Sequence, residues 1–233
     1  MIKRILSIIV MSLFAYMLYL LVSGWEPGKE LNSLAANYVG REPAELGAPN
    51  VVTAIVVTYR GLDTLGEVTV LFLAASGVGL FLHLSGKSGK DDRAKKKREA
   101  SEILRTGATM LLAPIVMFGT YIFINGHLSP GGGFQGGAVI ASGLLLLFVT
   151  FPSYRTKYSA LSAVESFSGA FYVIVGLFGF LLAGGFLDNR FLPLGSYGQV
   201  LSAGAIPVIY TLIGLKVGTE LTGILEHMKG SSE

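Results

Sequence analysis

Residues 103–151 read ILRTGATMLLAPIVMFGTYIFINGHLSPGGGFQGGAVIASGLLLLFVTF. Two apolar runs, 103–125 and 134–151, flank a turn too rich in glycine and proline for regular helix. A bilayer's hydrocarbon core is about 30 Å thick, and a helix needs roughly 20 apolar residues to cross it. The first run has that length. The second is shorter and follows the glycines, which predicts a broken or tilted span. Working outward, the runs 5–23, 65–84, 163–183 and 199–217 have the same character. The fold class is therefore an all-α polytopic membrane protein with about six transmembrane helices.

Composition agrees. Of 233 residues 52% are hydrophobic and 14% charged, where soluble domains carry about 25% charged residues. The 31 glycines suit membrane helices, because a missing side chain lets backbones approach. The absence of cysteine excludes disulfides, thiolate zinc sites and iron–sulfur ligation on this chain. His83, His127 and His227 are scattered and lack metal-ligand spacing. No cofactor is expected on this chain, so iron–sulfur or metal cofactors belong to partner subunits only. The first apolar run follows Lys3 and Arg4, exceeds a signal peptide's apolar region and precedes no evident cleavage site. It reads as a retained span.

Lysine and arginine near the spans set orientation. With six spans, both termini and the loops 85–102 and 152–162 share one side, which holds fourteen of the eighteen basic residues, Lys216 and Lys229 among them. Lys29, Arg41, Arg60 and Arg190 lie on the other. The first side is therefore cytoplasmic, and the cell membrane is the location. The sequence pI near 9.0 follows from this topology. The run Lys95, Lys96, Lys97, Arg98 could touch nucleic acid, but a topology-setting loop beside anionic lipid fits the rest, and no nucleic-acid partner is expected.

The basic, glycine- and serine-rich stretch 85–102 divides a two-span unit, 1–84, from a four-span unit, 103–233. No internal repeat relates them. Residues 50–59 (NVVTAIVVTY) form an apolar run too short to span, punctuated by Pro49 and Gly61. It reads as a half-buried amphipathic or re-entrant segment.

Acidic side chains inside spans cost roughly 2.5–3.5 kcal/mol at the centre, so each is a functional candidate. Glu67 lies just inside the second span, with Asp63 one turn earlier. If Arg60 continues that helix, Arg60, Asp63 and Glu67 share a face, although Gly61 is placed to break it. A structural ion pair at the interface is the alternative to an ion-path role. Glu165, near the start of the fifth span among Ser162, Ser166 and Ser168, is either an acid favoured by the helix dipole or an ion-path residue. Lys216 and Glu220, at i and i+4 near the inner end of the sixth span, read as a snorkelling surface pair. His127 opens two readings: a local hydrogen-bond donor in a tight packing turn, or a proton carrier. Gly133, Gly137 and Ala141 recur at four-residue spacing and would make a smooth ridge for another helix.

The stretch 126–137 (GHLSPGGGFQGG), followed by an apolar span, resembles the signature of the B subunit of Mrp-type multisubunit sodium/proton antiporters. The stretch 50–67 (NVVTAIVVTYRGLDTLGE) resembles a segment near the C-terminus of the large A subunit of the same antiporters. The large transporter body that normally precedes the A-type segment is missing, and the segment is fused to the B-type unit. That arrangement resembles archaeal membrane-bound hydrogenases and related sulfur-reducing or formate-linked complexes, in which a redox arm joins an Mrp-like membrane arm. The resemblance implies an accessory subunit of a sodium- and proton-translocating module. Its partners would be other Mrp-like subunits (A-, C-, D-, E-, F- and G-like), membrane lipid and a peripheral redox arm. By motif, Glu67 would be the membrane acid of the A-type segment, with Asp63 and Arg60 flanking it. His127, Pro130, Gly131, Gly132, Gly133, Phe134, Gly136 and Gly137 would belong to the B-type signature. A scaffold without its own ion path, or a subunit of a stand-alone antiporter, are the other readings. No catalysis is expected from this chain alone. From span position, Glu67 and Glu165 should lie roughly 20 Å apart along the membrane normal, leaving the middle of any path to neighbouring subunits.

Overall fold

The computed structural model describes residues 2–24, 31–86 and 100–231, and these group into two compact units, Met1–Asn37 and Tyr38–Glu233. Most of the linker 85–102 and its basic run lie outside the described residues, as does Lys29. In the first unit, helix α1 (Ile2–Ser23) is apolar throughout, and every described side chain from Arg4 to Gly24 is exposed within the chain. Helix α2 (Ser33–Glu45) begins in the first unit and ends in the second.

The second unit continues with α3 (Val51–Ala54), a π-helical turn (Ile55–Tyr59), α4 (Gly61–Gly86), α5 (Glu102–Ile124), α6 (Gly133–Thr150), α7 (Tyr158–Leu182), a 3-10 turn (Asn189–Phe191) and α8 (Ile206–Ser231). Among the described residues no strand forms. Among the described residues six helices are long and apolar enough to cross a membrane: α1, α4, α5, α6, α7 and α8.

Helix α8 is central. It packs against α4, α6 and α7 and touches α5, while α6 lies between α5 and α8. Glycines make the α6 contacts close. A Cβ on Gly133 would sit 2.5 Å from Ile213 Cγ2, and one on Gly137 would sit 2.7 Å from the Gly214 carbonyl oxygen, both on α8. Gly136 faces the other way, where a Cβ would come 2.5 Å from the Gly119 oxygen on α5. Ala141 is buried one turn further on. Backbone thus packs on backbone along both seams, which is how membrane helices gain dispersion energy without a hydrophobic driving force.

Two expectations about the spans are corrected. Helix α6 is short but unbroken over its 18 residues, because the helix-breaking residues, Pro130 to Gly132, all precede its first turn. The sixth span does not begin at 199. Residues 199–205 are apolar loop, turned at Ala203 and Gly204, which both have positive φ. At Gly204 a side chain would strike the Asn189 carbonyl. Helix α8 therefore starts at Ile206, and its apolar part runs to Lys229.

The segment 50–59 is helical but not regular, and it does not span. Asn50 caps α3, and Thr53, Ala54 and Val57 are buried against α8 and the loop 183–205. Before it, Glu42 is fully buried, and its Oε1 accepts a hydrogen bond from the Ala48 amide. Burial pushes this carboxyl above the ordinary carboxylate range.

Candidate functional site

The glycine turn 125–132 is held by polar groups rather than by side-chain bulk. The Asn50 side-chain amide donates to the carbonyls of Gly126 (2.8 Å) and Ser129 (3.0 Å), and the Asn50 backbone amide donates to that of His127 (3.0 Å). The Thr53 hydroxyl donates to Gly126 as well, at 2.6 Å, and accepts from Tyr210 Oη at 3.1 Å. Non-helical backbone buried away from water requires such partners. Residues 50–59 and 126–137 are therefore one contact.

His127 is fully buried at this junction, and its Nε2 lies 3.2 Å from the Gln199 carbonyl, to which it donates. Burial holds its pKa below the ordinary histidine value, so the ring is neutral and ties the turn to the loop 183–205. This geometry fits the local hydrogen-bond donor. Phe134 packs on the core behind the turn, Gly132 and Gly136 are buried, Gly131 is half-buried, and Pro130 is exposed.

Arg60 and Asp63 form an exposed ion pair at 2.5 Å, with side chains 66% and 53% accessible. Arg60 ends the π-helical turn and does not continue α4, so Gly61, packed on Leu187, begins that helix. Glu67 lies one and a half turns inside α4 and is exposed within the chain. Its carboxylate faces away from the helices that bury the neighbouring Val68, yet it lies within electrostatic reach of the Tyr172 hydroxyl on α7.

Helices α4 and α7 each pack on α8 and touch one another little, which leaves a cleft floored by α8. A cavity of about 470 Å³ takes in Ser76, Ser162, Glu165, Thr219, Glu220 and His227. An adjoining hollow of about 300 Å³ takes in Phe72, Gly169, Tyr172 and Lys216, and shares Glu165. Lys216 and Glu220 are not a surface pair. Nζ and Oε1 are 2.7 Å apart, and the two side chains are 11% and 0% exposed. The ammonium stands 4.9 Å from the Phe72 ring centroid and against Gly169. Glu220 Oε2 has no hydrogen-bond partner. Deeper along the cleft His227 packs on Gly79, its Nδ1 2.7 Å from the Gly223 carbonyl.

Contacts across the cleft fix the register of its ionisable groups. Glu67 lies within electrostatic reach of Tyr172, Lys216 stands opposite Phe72 and Gly169, Glu165 and Glu220 share the next level, and His227 lies opposite Gly79. Counted at 1.5 Å per residue, Tyr172 to Glu165 is only about 10 Å and Glu67 to Gly79 about 18 Å. By that count Glu67 and Glu165 lie about 10 Å apart along the helices, half the expected separation, and Lys216 of this chain lies between their levels. Sequence reasoning missed Lys216, Glu220, His227 and Tyr172 as site residues. The signal was an ionisable i, i+4 pair within an apolar run. Among the described residues no three His, Asp or Glu side chains converge to hold a metal ion.

Residues 103–223 match the family model described as "Domain related to MnhB subunit of Na+/H+ antiporter". The chain belongs to this family. Residues 3–85 match a second family model, MbhE, described as a subunit of MBH. A chain of the membrane-bound sulfane sulfur reductase, an archaeal respiratory membrane complex, superposes with a TM-score of 0.76 at 42% identity, covering 98% of each chain. A chain of the Mrp complex from Dietzia sp. superposes with a TM-score of 0.73 at 26% identity, over 99% of this chain and 26% of that one. An uncharacterized protein of Methanocaldococcus jannaschii is 30% identical over 193 residues, 72% of each sequence.

Proposed function

We propose that this chain is a membrane subunit of the Na+/H+ antiporter module of a redox-driven respiratory complex, and that it carries part of the ion path. The row of ionisable side chains in the α4–α7–α8 cleft, from Glu67 through Lys216, Glu220 and Glu165 to His227, is the observation that carries the reading. A helix-packing scaffold has no use for a buried carboxylate with an unpartnered oxygen, since charge in a low-dielectric interior is costly unless it is used or matched. The likeness over 98% of both chains to a chain of a sulfane sulfur reductase supports the respiratory setting.

In this reading 1–84 is an A-type unit and 103–233 a B-type unit joined by the basic linker 85–102. The two family models, which match 3–85 and 103–223, support that division. Both termini face the cytoplasm, as the basic residues dictate; Lys216 leaves the count, but thirteen against four still orients the chain. Sodium and protons are the transported ions, other antiporter-type subunits and a redox arm are the partners, and redox cofactors reside on those partners. Glu67, exposed on α4, is the end of this row at which an adjacent subunit joins the path.

The test is Glu67→Gln in the assembled complex. Ion pumping into sealed vesicles should fall at least about tenfold while the detergent-solubilised redox rate holds, because the carboxylate acts on transport alone. Undiminished pumping would return the chain to a scaffold.

A further inference from the structure

We infer that the α4–α7–α8 cleft is a binding site for a monovalent metal cation, with Glu165 and Glu220 as its anionic pair and Lys216 as a tethered occupant that an incoming sodium ion displaces. This rests on the ion-translocation reading above and adds a location and an internal competitor to it.

Charge balance is the first argument. Glu165 on α7 and Glu220 on α8 line one cavity and interact electrostatically. Lys216, one turn away, pairs with Glu220. Besides the His227 ring on the same cavity wall, two carboxylates and one ammonium leave one uncompensated negative charge, a state that draws in a further cation. Glu220 Oε2 supplies the acceptor, since it is wholly buried and takes no hydrogen bond from the chain.

Ligand chemistry is the second. The cavity wall adds the hydroxyls of Ser162, Ser166 and Thr219 to the carboxylates. Thr219 spends its proton on the Leu215 and Lys216 carbonyls, which leaves its oxygen free to coordinate. Carboxylate and hydroxyl oxygens suit a hard cation. About 470 Å³ also admits several waters at about 30 Å³ each, so the ion need not shed its whole shell.

The third argument is that the ammonium has somewhere to go. Lys216 lines the adjoining hollow, on whose wall the buried Tyr172 hydroxyl has no hydrogen-bond partner and lies within electrostatic reach of the Glu67 carboxylate. Gly169 leaves the passage open, because a Cβ there would stand 3.3 Å from Nζ. A flexible four-carbon stem can carry the ammonium from Glu220 toward Tyr172, vacating one seat as a sodium ion fills it.

The test uses the intact complex and carbodiimide modification of Glu165, quantified by mass spectrometry in NaCl and in choline chloride of equal ionic strength. Sodium should slow the modification in the wild-type complex. Lys216→Met should lower the half-protecting sodium concentration by about tenfold or more, the change expected when a competitor is removed. Lys216→Met combined with Glu220→Gln, which removes both members of the buried pair, should abolish protection. Modification that is indifferent to sodium in both the wild type and Lys216→Met overturns the site and makes the pair purely structural. If vesicles of that same wild-type complex still pump sodium, the translocation reading survives the loss of the site. Undiminished pumping by Glu67→Gln would instead remove the translocation reading itself.

Discussion

Lys216 Nζ and Glu220 Oε1 lie 2.7 Å apart, one turn from each other on the most enclosed span of the protein. Removing one partner of a buried pair strands the other, at a cost of roughly 3–5 kcal/mol, whereas removing both leaves no stranded charge. Glu220→Gln alone should therefore depress the yield and thermal midpoint of the solubilised complex. Adding Lys216→Met should restore most of the loss. A single variant as stable as the wild type would mean that the pair is hydrated in the assembly.

Gly137 tests the seam between α6 and α8. Even Gly137→Ala places a methyl 2.7 Å from the Gly214 carbonyl, and overpacking of this kind costs about 1–3 kcal/mol. Gly137→Leu should reduce recovery of the chain with its antiporter partners well below that of Gly66→Ala, where a Cβ meets nothing within 4 Å in this chain. Equal recovery would show that the helices can slide apart without penalty.

His127 gives a pH dependence whose sign follows from its burial. Its folded pKa is held below the ordinary value of 6.5, so the unfolded chain binds the proton more readily. Stability is then fully present above pH 6.5 and is lost as pH falls toward the folded value. His127→Gln, neutral at every pH, should flatten that acid limb in thermal melts between pH 7.5 and 5. A wild-type melt independent of pH across this range would show that the ring titrates freely.

The same chain offers a topology test because it has no cysteine. Ser33→Cys should react with an impermeant maleimide on intact cells, and Ser88→Cys should react only after lysis. Labelling of position 88 from outside would reverse the assigned orientation.

Hydropathy over 20 residues is a local property, so the six spans could be read from the chain itself. The boundary of α8 could not. Residues 199–205 are apolar enough to extend a helix on paper, but the positive φ of Ala203 and Gly204 and the fit of Gly204 beneath Asn189 arise only from tertiary packing. Starting the span seven residues too early moves Lys216 and Glu220 from mid-helix to the water's edge, and a buried pair becomes a snorkelling one. Glu67 stands out in the sequence because an acid interrupts an apolar run, but which way it faces depends on how α4 packs on α8. The glycines of 126–137 announce a non-helical turn. Their partners, Asn50 and Thr53, lie more than seventy residues away, and spacing does not reveal that.

The fastening of the glycine turn by Asn50 and Thr53 has a consequence for heredity. The joint between the portions on either side of the linker is made of side-chain and backbone hydrogen bonds to Gly126, His127 and Ser129, supported by α4 lying on α8. None of these bonds involves residues 85–100. A peptide connection there raises the effective concentration of the two portions for one another, and the bonds named form outside it. The protein could therefore be encoded by one gene or by two and still assemble the same bundle, and fusion or fission of the reading frame within the linker would be close to neutral.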